Sequence, residues 1–177
     1  MGEGNIVEMV NITKRFPGVT ALDGVNLLVK KGSVHALVGE NGAGKSTLMK
    51  ILSGSYEEYD GKIILEGREV HFKSERDALD AGIAIVPQEL HPINELTIAE
   101  NIFLGREPQK KIKGFIDKKK RTQLTQELMS YIGLSYDPNT EMSALSVAQK
   151  QMVEIIKAIS RNSRIIIMDE PTSALTD

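Results

Sequence analysis

With 177 residues and 41% hydrophobic content, the chain is long enough to bury one core, or one core with an attached lobe. Its net charge of −2 argues against the broad basic surface that nucleic acid demands, so no nucleic-acid partner is expected. The absence of cysteine excludes a disulfide framework and thiolate metal sites and fits a reducing cytoplasm. The acidic, polar start Met1-Gly2-Glu3-Gly4-Asn5 does not read as a secretory signal, and no apolar run approaches the ~20 residues that span a bilayer. A membrane role would have to come through a partner.

Along the chain, Ile6 to Val10 and Val25 to Val29 read as strands, with Pro17-Gly18 punctuating the loop between them. Val34-His35-Ala36-Leu37-Val38 is a short, mostly apolar run ending at Gly39, the pattern of a buried strand, in which His35 would be structural. A helix is predicted to open near Lys45, to bury Leu48, Ile51 and Leu52, and to stop at Gly54. Lys62 to Leu65 and Ile83 to Val86 read as further strands.

From Glu89 to Ala144 the character changes. Helical patterns at Ile98 to Leu104 and Lys119 to Ile132 are broken by Pro92, Pro108, Gly114 and Pro138, which predicts a smaller helical lobe inserted into an α/β core. The expected division is 1–88, 89–144 and 145–177. Between Lys110 and Arg121 stand seven basic residues and one acid, Asp117, read as a solvated face in preference to a membrane or partner contact.

Three motifs carry chemistry. The segment Gly39-Glu40-Asn41-Gly42-Ala43-Gly44-Lys45-Ser46-Thr47 fits G-x-x-x-x-G-K-[ST]. Its glycines let backbone N–H groups approach phosphate oxygens, and the following helix N-terminus adds a favourable dipole. Lys45 is expected at the β- and γ-phosphates of a triphosphate, Ser46 on Mg²⁺ and Thr47 at the α-phosphate. Next, Ile165-Ile166-Ile167-Met168-Asp169-Glu170 is an apolar strand ending in two carboxylates, where Asp169 would hold Mg²⁺ and Glu170 polarise the attacking water. Third, Leu145-Ser146-Val147-Ala148-Gln149 contains the capping box S-x-x-Q. It opens a helix on which Met152, Ile155, Ile156 and Ile159 keep helical spacing.

These motifs, with Val86-Pro87-Gln88-Glu89 between them, resemble in content and order an ATP-binding cassette, the ATPase engine of ABC transporters. The fold this implies is α/β: a P-loop NTPase (RecA-like) core with an antiparallel β subdomain and an inserted helical lobe. Ser146, Ala148 and Gln149 would then meet the γ-phosphate of a nucleotide on an opposing cassette, with Gln88 as γ-phosphate and Mg²⁺ sensor. Phe16 occupies the place of an adenine-stacking aromatic, although a core Phe is nearly as good a reading. Gly39, Asn41, Gly42, Ala43, Gly44, Lys45, Ser46 and Thr47 would cradle the phosphates.

Within that family the chain is most similar to the ATP-binding subunits of bacterial galactose/methyl-galactoside, ribose and xylose importers, with two cassettes in one polypeptide. Lys14-Arg15-Phe16-Pro17-Gly18-Val19-Thr20-Ala21-Leu22, Pro87-Gln88-Glu89-Leu90 and Gln151-Met152-Val153-Glu154-Ile155 carry that likeness, and Asp169 to Thr176 matches a first cassette. It implies a peripheral subunit at the cytoplasmic face of the membrane. Its partners would be permease subunits, a second cassette and, indirectly, a periplasmic or extracellular sugar-binding protein. ATP and Mg²⁺ are the implied ligands. The chain departs from the family pattern at Val147 and Ala148, where glycines are usual, so the added methyls are expected to weaken γ-phosphate contact. It stops at Asp177, before the switch histidine and last strands of a full cassette, and is expected to be a C-terminally truncated piece that binds nucleotide weakly and turns it over negligibly. The competing readings are a soluble ABC ATPase of translation or DNA repair, and a nucleotide-binding module without turnover.

Overall fold

A computed structural model describes residues 4–110 and 114–169, which divide into two compact units, Met1–Ile83 and Ala84–Asp177.

The first unit is built on an antiparallel sheet. Strands β1 (Asn5–Phe16) and β2 (Val19–Lys30) form a hairpin closed by Pro17-Gly18, and β3 (Asp60–Leu65) and β4 (Arg68–Val70) extend it in the order β2-β1-β3-β4. Both long strands outrun the apolar stretches that predict them, because polar positions such as Lys14 and Arg15 join the ladder once a partner strand is present. Strict alternation fails in β1. Its register shifts against β2 between Met9 and Ile12 and against β3 between Val10 and Thr13, with Asn11 at φ +53°. An inserted residue of this kind reverses the phase of burial, so Val7 and Met9 are buried before it and Ile12, Thr13 and Lys14 after it. Opposite the bulge, a Cβ on Gly61 would stand 2.5 Å from the Asn11 carbonyl oxygen, so only glycine fits.

Helix α1 (Lys45–Leu52) buries Leu48, Ile51 and Leu52, the face expected from spacing, and Gly54 directly follows its C-cap Ser53. With Ile6, Val7, Met9, Ile12, Leu22, Leu27, Ile63, Leu65 and Phe72 these residues form the unit's core. Each fully buried side chain of this size contributes about 1.5–3 kcal/mol. A short helix, α2 (Glu75–Asp80), follows β4 with Ser74 accepting a hydrogen bond from the Asp77 backbone N–H. Its signal, Ser74 three residues before an acid, is legible in the sequence although the segment carries no helical apolar stripe.

One predicted strand does not form. Residues 34–38 belong to no sheet, Val34 and Val38 are almost fully exposed, and His35 is exposed with them rather than buried. An apolar run becomes a buried strand only with neighbours to take its backbone hydrogen bonds, and among the described residues no strand lies beside this one.

In the second unit β5 (Ile83–Val86) pairs with β6 (Ile165–Met168). Helices α3 (Ile98–Phe103), α4 (Lys118–Tyr131) and α5 (Val147–Ile159) gather round a cluster of Ile98, Ile102, Phe103, Met129, Met142, Val153 and Ile156. Helix α3 begins with a capping box, Thr97 and Glu100, and the Glu100 carboxylate also accepts from the buried Arg121 of α4 at 2.8 Å. At the far end Arg106 ties α3 to α5. Its guanidinium donates to the Ile102 and Ser160 carbonyl oxygens at 2.7 and 2.9 Å, bonds the Ser160 hydroxyl and lies against the Phe103 ring. Burial, with Arg161 nearby, lowers the Arg106 pKa to about 10, still well above neutrality. In the basic stretch, Lys118, Lys119 and Lys120 are exposed, whereas Arg121 is buried in its ion pair.

Candidate functional site

The phosphate-loop residues all lie in the first unit. Residues 39–43 form an exposed loop, turned by Gly42 at φ +83° and Gly44 at φ +89°. Gly44 is the N-cap of α1 and, as glycine, makes no side-chain cap bond to the first turn of the helix. Its place is doubly restricted. A Cβ there would meet the Ala21 carbonyl oxygen and Leu22 Cδ2, both at 2.7 Å, and its φ disfavours any side chain. The loop is thus pressed against β2, which fixes where the helix starts. The Lys45 ammonium folds back over the loop and donates to the carbonyl oxygens of Gly39 and Glu40 at 2.7 and 2.8 Å, while the Ala43 N–H donates to Glu40 at 3.2 Å. A cation held by neutral carbonyls can exchange them for anionic oxygens, which make stronger charge-assisted bonds. Ser46 is exposed and Thr47 partly buried at the start of the same helix.

Phe16 ends β1, half-buried, with its ring edge-on to Tyr56 at 5.4 Å between centroids and 70° between planes. Its pair is met by two residues that the motifs did not single out. The Lys14 ammonium lies over both rings, and Lys50 lies over Tyr56. The strand predicted over Ile6 to Val10 stops short of Lys14, so the burial of this lysine left no local signal.

In the second unit the structure brings Gln88 and Asp169 to one edge. The Asp169 N–H donates to the Val86 carbonyl oxygen at 3.2 Å, so β5 and β6 end together and both candidate residues follow those ends. Glu170 lies outside the described residues. The segment after Gln88 is organised by Asn101, a buried side chain on α3 that the motifs did not single out. Its amide donates to the carbonyl oxygens of Ile93, Leu96 and Thr97, and its oxygen accepts from the Ile93 N–H. An Asn within the apolar pattern of Ile98 and Ile102 is the trace it leaves in the sequence.

Ser146 and Gln149 form the predicted capping box. The Ser146 hydroxyl accepts from the Gln149 N–H at 3.3 Å, and the Gln149 side chain accepts from the Ser146 N–H at 2.9 Å. Both groups thereby hold the start of α5, with Val147 exposed beside them and Ala148 partly buried. The helix's deepest side is not the whole predicted set. Gln151, Val153, Ile156 and Ala158 are buried, and Met152, Ile155 and Ile159 only partly. Helix α5 is apolar around most of its girth, so its packing against α3 selects the buried side.

Among the described residues no group of three His, Cys, Asp or Glu side chains is placed to hold a metal, and no helix is long and apolar enough to cross a membrane. Ser46, in the first unit, and Gln88 and Asp169, in the second, each carry an oxygen donor of the hard kind that Mg²⁺ takes.

Comparison with known proteins gives the chain's relatives and fold. The chain is 59% identical over 177 residues to a putative ribose/galactose/methyl galactoside import ATP-binding protein of Halalkalibacterium halodurans, covering all of this chain and 34% of that protein. It is 56% identical over 180 residues to a galactose/methyl galactoside import ATP-binding protein of Clostridium tetani, covering all of this chain and 36% of that one. It therefore spans about a third of the length of these curated relatives. Among solved structures, the ADP conformation of an ATP-binding cassette of an ABC transporter superposes with a TM-score of 0.82 at 30% identity, covering 96% of this chain and 70% of that one. This likeness establishes the fold as the P-loop NTPase fold of ABC ATPase cassettes, α/β with an antiparallel sheet. The family model described as ABC transporter matches residues 22–173, a span that takes in the phosphate loop, Gln88, the Ser146 cap and Asp169, and the chain belongs to that family.

Proposed function

We propose that this chain is the nucleotide-binding module of a carbohydrate importer, binding ATP with Mg²⁺ and, within a longer protein, coupling ATP hydrolysis to sugar passage. The observation that carries the nucleotide half is the loop at 39–47: an uncapped helix N-terminus, a Gly44 that admits no side chain, and a Lys45 ammonium resting on the loop's own carbonyls. The sugar half rests on relatives at 53–59% identity whose names are those of ribose and galactose import ATP-binding proteins.

In this reading the backbone N–H groups from Gly42 to Thr47 surround the phosphates, with Thr47 at the α-phosphate. Lys45 leaves the Gly39 and Glu40 carbonyls for the β- and γ-phosphate oxygens. Ser46, Gln88 and Asp169 hold Mg²⁺, which when bound neutralises phosphate charge. Glu170 orients and polarises the attacking water, and Phe16 stacks on adenine. Ser146, Ala148 and Gln149 serve a nucleotide on an opposing cassette, which adds an electrostatic clamp where charge develops. Membrane permease subunits would hold the protein peripherally at the cytoplasmic face, and a sugar-binding protein would act through them.

Reconstitution tests both halves. The full-length protein carrying this segment, assembled with permease subunits in vesicles, is expected to show ATPase activity stimulated by sugar-loaded binding protein. Glu170→Gln in this segment should retain ATP binding and suppress turnover. ATPase activity indifferent to the permease and binding protein would favour a soluble ABC ATPase instead.

A further inference from the structure

Lys14 is in an unusual position for a lysine. It sits inside β1, paired with Leu22 of β2, and is only 8% exposed. Burying an ammonium is costly unless it is compensated, and among the described residues no carboxylate lies within ion-pair reach of it. Its compensation is of another kind. The Nζ donates to the Glu58 carbonyl oxygen and lies 5.2 Å from the Phe16 ring centroid and 5.4 Å from that of Tyr56. A leucine or methionine would fill such a place without the desolvation cost. The charge therefore has a use beyond filling space, and its two nearest ring partners indicate what it is.

Tyr56 is fixed from a second side. Its N–H donates to the Lys50 carbonyl oxygen at 3.1 Å, and the Lys50 ammonium lies 5.8 Å from its ring centroid. Lys50 belongs to α1, the helix that begins at the phosphate loop. The aromatic pair is thus tied at one end to β1 through Lys14 and at the other to the helix that would hold the phosphates. We infer that Lys14 is a positioning residue for the nucleobase: its buried ammonium holds the Phe16–Tyr56 pair in place against β1, where Lys50 also ties it to the helix that follows the phosphate loop. A cation beside a ring also draws π-density toward itself, which favours stacking of an electron-rich purine. This inference rests on the reading of Phe16 as the base-stacking residue.

The test compares two probes, ATP and inorganic tripolyphosphate, by calorimetric titration of this chain. The ratio of their affinities isolates what the nucleoside adds. Wild type should prefer ATP, and Phe16→Ala should abolish most of that preference. Lys14→Met should cut it about tenfold, within the range expected for lost base–aromatic stacking, with tripolyphosphate affinity unchanged, and Lys14→Arg should restore most of it. Should Lys14→Met fail to fold, Tyr56→Leu removes the second ring from a half-buried place and should lower the preference in the same direction. A wild-type preference in Lys14→Met, or in Tyr56→Leu where that variant stands in, overturns the inference while leaving Phe16 as the stacking residue. A preference that survives Phe16→Ala, or is missing from wild type, overturns the stacking reading and the inference with it.

Discussion

The backbone N–H of Asp169 donates to the carbonyl oxygen of Val86 at 3.2 Å, so the strand ending in the acidic pair and the strand leading to Gln88 finish side by side. Because this bond uses the main chain, Asp169→Asn removes a charge without disturbing the strand pairing. We expect Mg-nucleotide binding to weaken about tenfold, as for loss of a charged ligand to a cation. Binding of metal-free nucleotide should hold or improve. Titrations with and without Mg²⁺ decide this, and an equal loss in both would mean that Asp169 acts on the fold rather than the metal.

Gly44 and Lys45 are neighbours with separable roles. Gly44→Ala forces a side chain into φ +89° and to 2.7 Å from the Ala21 carbonyl oxygen. Strain of that kind costs about 1–3 kcal/mol, so its thermal unfolding should come earlier and nucleotide binding should fall. Among the described residues the Lys45 ammonium bonds the loop's own carbonyls, so the stability of Lys45→Ala should stay within about 0.5 kcal/mol of wild type. Its nucleotide affinity should nevertheless drop by at least about tenfold. A Lys45→Ala variant that unfolds early would assign the lysine to loop stability instead.

Ser146 caps α5 through the Gln149 N–H, and removing such a cap costs about 1 kcal/mol. Ser146→Ala should therefore lower the unfolding midpoint of this chain in denaturant while leaving its ATP affinity unchanged, since Ser146 and Gln149 are proposed to serve a nucleotide held on an opposing cassette. A large loss of ATP affinity with unaltered stability would place this helix end at the chain's own nucleotide.

Glu100 gives the second unit a pH dependence. The Thr97 backbone N–H donates to its carboxylate at 3.1 Å, and this bond first, then the Thr97 hydroxyl and Arg121, hold its pKa below the ordinary value of 4.5 although burial opposes them. A depressed folded pKa stabilises fully above the unfolded value and is lost as pH falls through the folded one. Acidification below about pH 4.5 should therefore destabilise wild type. Glu100→Gln should be less stable at neutral pH and show a shallower acid dependence. Parallel stability–pH curves for the two proteins would remove Glu100 from the account.

Contiguous residues determined a good deal by themselves. The phosphate loop, the start and buried face of α1, the Ser146–Gln149 cap and strands β5 and β6 each depend on spacing within a few positions. Local backbone preference and hydrogen-bond reach are enough to write them. What only the tertiary structure decided depends on residues far apart in the chain. Residues 34–38 are apolar enough for a strand, yet strand formation needs a neighbour that no local pattern specifies. The buried side of α5 follows from its packing against α3, because that helix has apolar residues on more than one side. Lys14 reads as one more polar residue until the fold places Tyr56 and the Glu58 carbonyl around its ammonium. Burial and charge compensation are properties of a neighbourhood, and the neighbourhood exists only once the chain has folded.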